Sequence, residues 1–189
     1  MRISICLICL FLILGCATSS KDAFPNWHAL DSFQRDWYSR QLTAADEKPI
    51  LLPIRAPVYR FTWLRSFHHP IIIRVECPDR CSLEAIELSG AGGYKPGSIL
   101  IRKKHVLTAE EKKTFSNLFE KINFWFPQPE SDVIGSDGAQ WILEAASENI
   151  YQAWQVWEPT VQPRFKTYFD FCDFLISLSG LEIPDDDFY

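Results

Sequence analysis

From Val58 to Lys103 the apolar residues of this chain recur with a period of two, and that alternation constrains its fold more than any other feature. Tyr59, Phe61, Trp63 and Phe67 alternate with Arg60, Thr62 and Ser66. After His68-His69-Pro70, Ile71, Ile73 and Val75 alternate with Ile72, Arg74 and Glu76. Successive side chains of an extended chain point to opposite faces, so each run reads as a strand with a buried side. Ser82 to Leu88 and Ser98 to Lys103 add two more, joined by the glycine-rich loop Gly90-Ala91-Gly92-Gly93-Tyr94-Lys95-Pro96-Gly97. Four such segments in succession predict an antiparallel meander.

Helical patterns flank the meander. Asn26 to Gln41 reads as a helix with Trp27, Leu30, Trp37 and Tyr38 on its apolar side and Asp31/Arg35 and Asp36/Arg40 as i,i+4 pairs. Pro49 to Pro57 is an extended connector. Thr108-Ala109-Glu110-Glu111 is a capping box, and Phe115, Leu118, Phe119 and Ile122 follow at i, i+3, i+4 and i+7, which makes an amphipathic helix ending before Pro127. Ala139 to Ala146 and Ile150 to Trp157 read as a hairpin whose inner face carries Trp141, Leu143, Trp154 and Val156. Pro163 opens a last helix that Gly180 ends. The expected class is therefore α+β, in the order α-β-β-β-β-α-β-β-α, with an antiparallel sheet and helices packed on one face.

The first residues carry a different signal. Met1-Arg2 supplies a positive charge, Ile3 to Leu14 is apolar apart from Ser4, and Ile13-Leu14-Gly15-Cys16 follows. This is the layout of a secretory signal peptide, and the run is shorter than the ~20 apolar residues a spanning helix needs. The segment resembles a bacterial lipobox, which implies acylation of Cys16 by diacylglyceryl and palmitate-type chains. The position after it, Ala17, is similar to the outer-membrane default. Residues 1–15 are thus expected to be a signal peptide, 16–23 a lipidated tether and 24–189 one domain. The expected location is the periplasmic side of the outer membrane of a Gram-negative cell.

Cysteine usage follows from that compartment. Cys6 and Cys9 leave with the leader, and Cys77 and Cys81 bracket a Pro-Asp turn. In an oxidising compartment they are expected to form a disulfide, the competing readings being a zinc half-site and two free thiols. Cys172 falls on an apolar helix face and is expected to be buried and inert.

Lys and Arg number 19 against 24 Asp and Glu, giving a net charge of −5, so no basic surplus exists for nucleic acid. At 47% hydrophobic and 14% aromatic residues the chain is too apolar to be disordered. Arg60, Arg74 and Arg102 fall on the polar sides of their strands and could form a stripe gripping carboxylates or phosphates. Glu76, Glu84 and Glu87 on the same strands offer ordinary cross-strand ion pairs instead. In the last helix, Phe171, Phe174 and Leu178 form a second apolar line. Either the N-terminal helix covers it, or Phe174 and Leu178 are an exposed patch for a partner, with Asp185-Asp186-Asp187 favouring a basic one.

For chemistry, the candidates are Arg65, His68, His69, Asp137 and Glu144. Asp137 and Glu144 could work as an acid/base pair, although Asp137-Gly138 also makes a turn. His68 and His69 are adjacent and point apart on an extended chain, and His28 and His105 stand at no metal spacing, so no metal and no cofactor are expected. The glycine-rich loop is read as a hairpin connection, with an anion cradle as the alternative.

Tyr59-Arg60-Phe61-Thr62-Trp63-Leu64-Arg65-Ser66-Phe67-His68-His69-Pro70, the loop from Gly90 to Gly97, and Gly135-Ser136-Asp137-Gly138-Ala139-Gln140-Trp141-Ile142-Leu143-Glu144 together resemble a family of uncharacterised bacterial secreted proteins and lipoproteins. Tyr151, Trp157, Glu158 and Pro159 are similar to its later segment, while Val156 and Glu158 depart from the Arg-Trp-Ser-Pro run usual there. The resemblance implies no activity and marks these positions for attention. The expectation is a non-enzymatic envelope lipoprotein, held by lipid on Cys16, that binds an envelope protein partner or ligand through surfaces including Arg60, Arg65, Arg74, Arg102, Phe174 and Leu178. The alternative is a hydrolase or metal-dependent enzyme using His68, His69, Asp137 and Glu144.

Overall fold

The computed structural model describes residues 22–24, 26–131, 133 and 135–189. Its centre is a six-stranded antiparallel sheet built from β1 (Val58–Arg65), β2 (Ile71–Glu76), β3 (Ser82–Leu88), β4 (Ile99–Val106), β5 (Ala139–Ser147) and β6 (Ile150–Trp157). The order across the sheet is β4-β3-β2-β1-β5-β6, so the meander is continuous and the hairpin joins it through β1 and β5. The helices are α1 (Ser32–Ala44), α2 (Ala109–Ile122) and α3 (Lys166–Ser179). The class is α+β with an antiparallel sheet, in the expected element order.

One face of the sheet carries Phe61, Trp63, Ile71, Ile73, Val75, Leu83, Trp141, Leu143, Trp154 and Val156, packed against α2 and α3. Trp141 stands opposite Val156, and Leu143 opposite Trp154, as the hairpin alternation requires. Phe115 and Phe119 of α2 meet Phe171 of α3 at 5.1 and 5.4 Å between ring centroids, which knits the two helices together over the sheet.

The expectation that all helices share one face is corrected by α1. Tyr38 and Leu42, with Phe24, Trp27 and Leu30 just before the helix, cover the opposite face, where Leu64, Ile72, Ile86, Leu88 and Ile142 project. The reason lies in the central strands. Ile71-Ile72-Ile73 and Trp141-Ile142-Leu143 are apolar on both sides, so each face must be covered.

The helix starts follow local chemistry. Asp31 caps α1 by accepting from Gln34 N–H while the Gln34 side chain accepts from Asp31 N–H, so the expected Asp31/Arg35 surface pair gives way to a cap. Arg35 instead pairs with Asp22 at 3.0 Å, whereas Asp36–Arg40 does form, at 3.2 Å. Thr108 and Glu111 make the expected capping box, and Asn123 closes α2 in the left-handed conformation. Cys77 and Cys81 are joined in a disulfide across their turn, and Cys172 is buried. Among the described residues no helix is long and apolar enough to cross a membrane.

Candidate functional site

Of the expected catalytic residues, Arg65, His68 and His69 line one cavity of about 230 Å³ with Glu87 and Asp187, but Asp137 and Glu144 do not line it. Glu144 is fully buried in mid-strand beneath the α1 layer, where it stands opposite Arg60 in the β1–β5 register. Arg60 Nε and Nη2 donate to its two oxygens at 2.6 and 2.8 Å, and Tyr151 O–H donates at 2.7 Å. Burial weakens a guanidinium's hold on its proton, but the Glu144 and Glu47 charges outweigh it and raise the Arg60 pKa. Burial, and then the Glu144 charge, push the Tyr151 hydroxyl far above its ordinary range. Arg60 also donates to the Lys48 and Ala23 carbonyls and lies over the Phe24 ring, so it fastens the N-terminal segment to the sheet.

His68, His69 and Asp137 lie at the end of the sheet, near Ala139, the first residue of β5, which is about 17 Å along that strand from Glu144 at ~3.4 Å per residue. The histidine side chains take different partners: His69 Nδ1 meets Glu87 at 2.7 Å, and His68 meets Asp187 at 3.1 Å and Tyr189 O–H at 2.7 Å. Arg65, almost wholly buried, donates to the carbonyls of Asp187 and His69. The acidic tail thus turns inward: Phe188 packs on Trp63 and Trp141, whose indole N–H groups both donate to the Tyr189 backbone oxygen at 2.9 and 3.0 Å. Among the described residues no group of three or more metal-ligating side chains comes together.

The arginine stripe is resolved as ion pairs. Arg74 meets Glu47 and Glu76, and Arg102 meets Glu84, which Lys104 also approaches. These charges line a cavity of about 440 Å³, but they neutralise one another across it. Phe174 and Leu178 are partly buried against the core that α2, α3 and the sheet share. The N-terminal helix does not cover them, because α1 lies across the sheet from α3; Phe171, fully buried between them and α2, anchors that line. Cys16 lies outside the described residues.

What does converge is the set of loops at one end of the sheet. Ser66 N–H donates to the Gly138 carbonyl, and Gly138 N–H returns a bond to Ser66 Oγ. Gly92 and Gly93 donate to the carbonyls of His68 and Ser66, and Ala139 N–H donates to Glu158 Oε1 at 2.6 Å. Gly92 runs so close to β1 that a Cβ there would sit 2.7 Å from the Arg65 backbone. On the α1 side, Trp37 Nε1 and Gln41 Nε2 both donate to the Gly92 carbonyl. The β1–β2 loop, the glycine-rich loop, the segment before β5 and the end of β6 are therefore one interlocked unit.

No family model matches this chain, and no curated protein matches it by sequence. The interlocked loops and α1 enclose a groove of about 490 Å³. Phe33, Trp37, Tyr94 and Trp157 give it aromatic walls, and Arg40 and Lys95 give it positive charge. Phe33 is 69% and Tyr94 63% exposed, as is Phe126, at 68%, elsewhere on the surface. Sequence reasoning passed over Phe33, Arg40 and Lys95 as site residues. The available signal was the i, i+4, i+7 spacing of Phe33, Trp37 and Arg40, which sets them on one stripe of α1.

The glycine-rich loop is a connection and its amides are occupied. Those of Gly90, Ala91, Gly92, Gly93 and Tyr94 donate to the carbonyls of Pro96, Lys95, His68, Ser66 and Ala91 in turn, leaving none of these five to cradle an anion. Any charge recognition in the groove falls to the Arg40 and Lys95 side chains.

Proposed function

We propose that this protein is a membrane-tethered binding module of the bacterial envelope, held by lipid on Cys16, whose ligand enters the groove between α1 and the interlocked loops. The observation that carries this reading is the convergence of five chain segments on one aromatic, positively charged groove, braced from behind by backbone hydrogen bonds. A rigid concave surface with apolar walls and a few placed polar groups is the usual form of a small-molecule site, and about 490 Å³ lies within the common range of roughly 300–1,000 Å³. The Ala17 signal supports an outer-membrane location facing the periplasm, and the resemblance to secreted proteins and lipoproteins agrees with it.

Two sets of measurements test it. Cys16→Ser should leave an unprocessed or soluble species, and intact-mass analysis of the mature wild-type protein should show acyl chains. The low-molecular-weight fraction of an envelope extract should raise the melting temperature of the wild-type domain and change its tryptophan emission, and both effects should vanish in Tyr94→Ala and Lys95→Glu. An extract that stabilises wild type and variants alike, or none of them, overturns the groove as the binding site.

A further inference from the structure

Resting on the reading of this groove as a ligand site, we infer that its ligand is an acidic saccharide: at least two sugar rings carrying a carboxylate or similar anionic group. Phe33 and Trp37 stand one helical turn apart on α1 with ring centroids 6.0 Å apart and planes inclined at 41°. They form two adjoining platforms, not a slot between parallel rings. A planar base calls for a slot; successive sugar rings, each with an apolar C–H face, suit a row of platforms. Tyr94 and Trp157 extend the aromatic surface on the loop side.

Sugar hydroxyls need polar partners along the ring edges, and the loops supply them. Ser66 and Ser136 line the groove, and the Ser66 hydroxyl, which accepts from Gly138 N–H, keeps its own proton to donate. The charge argues for acidity. No carboxylate lines this groove among the described residues, whereas two cations do. Arg40 is partly answered by Asp36 at 3.2 Å, and Lys95 has no ionic partner among the described residues. An anionic substituent on the ligand completes that pairing. A phosphate anchored by backbone amides is disfavoured, because the five consecutive loop amides from Gly90 to Tyr94 are already bonded.

The probes are a hyaluronan tetrasaccharide, in which glucuronate alternates with N-acetylglucosamine, the uncharged chitotetraose of the same length, and AMP. Each is titrated into the mature chain at low ionic strength with tryptophan fluorescence as the readout. The acidic tetrasaccharide should bind at least tenfold more tightly than chitotetraose, and Lys95→Glu should abolish the difference. Tyr94→Ala should weaken both about tenfold; Tyr94 is exposed, so circular dichroism should show the variant folded. Chitotetraose binding as well as the acidic sugar, or AMP binding better than either, overturns the inference while leaving a ligand groove in place. If none of the probes binds while the envelope extract still stabilises the protein through Tyr94, the saccharide class fails alone; if the extract also has no effect, the groove reading fails with it.

Discussion

At the scale of single residues, Arg60 and Gly138 show how little freedom this structure leaves. Arg60 has no exposed surface and is compensated by Glu144, Glu47 and two backbone carbonyls. Removing one partner of such a pair leaves an uncompensated buried charge, so Glu144→Ala should lose about 3–5 kcal/mol in urea denaturation. A loss under about 1 kcal/mol would show that water reaches the pair. Gly138 adopts φ +149°, and a Cβ there would collide with the Glu158 carboxylate that receives Ala139 N–H. Gly138→Ala should therefore cost roughly 1–3 kcal/mol of stability, read from the same denaturation series, although the residue sits in a surface loop. The sequence made the turn at Asp137-Gly138 legible, but not its reason, because Glu158 belongs to a segment brought there only by β6.

Among elements, α2 carries a dependence on pH at its capping box. The Thr108 N–H, and then His105, donate to the Glu111 carboxylate and hold its pKa below the ordinary value of 4.5. A carboxylate depressed in the folded state stabilises it above its unfolded pKa, and the contribution is lost as pH falls through the lower folded value. Acidification from pH 5 should accordingly lower the hydrogen-exchange protection factors of the first turn of α2 before the sheet opens, and Glu111→Gln should remove that pH dependence. First-turn amides that stay protected down to global unfolding would count against the cap. The capping box was readable because all its parts lie within four residues, and the strands because alternation is local. The placement of α1 was harder to read. Its Asp31 admits either a surface pair or a cap, and the demand for a cover on the second face comes from β1, β2 and β5 together. The groove was hidden for the same reason: Phe33, Tyr94 and Trp157 become neighbours only once the strand order sets the loops side by side.

For the whole molecule, the tail from Leu181 to Tyr189 closes the aromatic layer. Phe188 meets Trp63, Trp141 and Phe169 with ring centroids 5.1 to 6.0 Å apart, so Phe188→Ala should destabilise by about 2 kcal/mol, less than a fully enclosed ring, and shift the emission of the two tryptophans to the red. An unchanged spectrum would mean the ring does not shield them. The strand order has a consequence for how the chain reaches this state. β1 pairs with β2 across a short loop, but its other edge waits for β5, whose partner residues lie about eighty positions later, as Arg60 and Glu144 do. Until β5 arrives, a half-finished sheet exposes the backbone of β1 beside Phe61 and Trp63, and the Arg60 guanidinium has not met Glu144. Closure over such a sequence distance is slow relative to forming a meander, and an open strand edge invites pairing with other chains. Refolding of the mature chain from urea should therefore lose yield as protein concentration rises, whereas a yield independent of concentration would mean that the β1 edge is shielded before β5 docks.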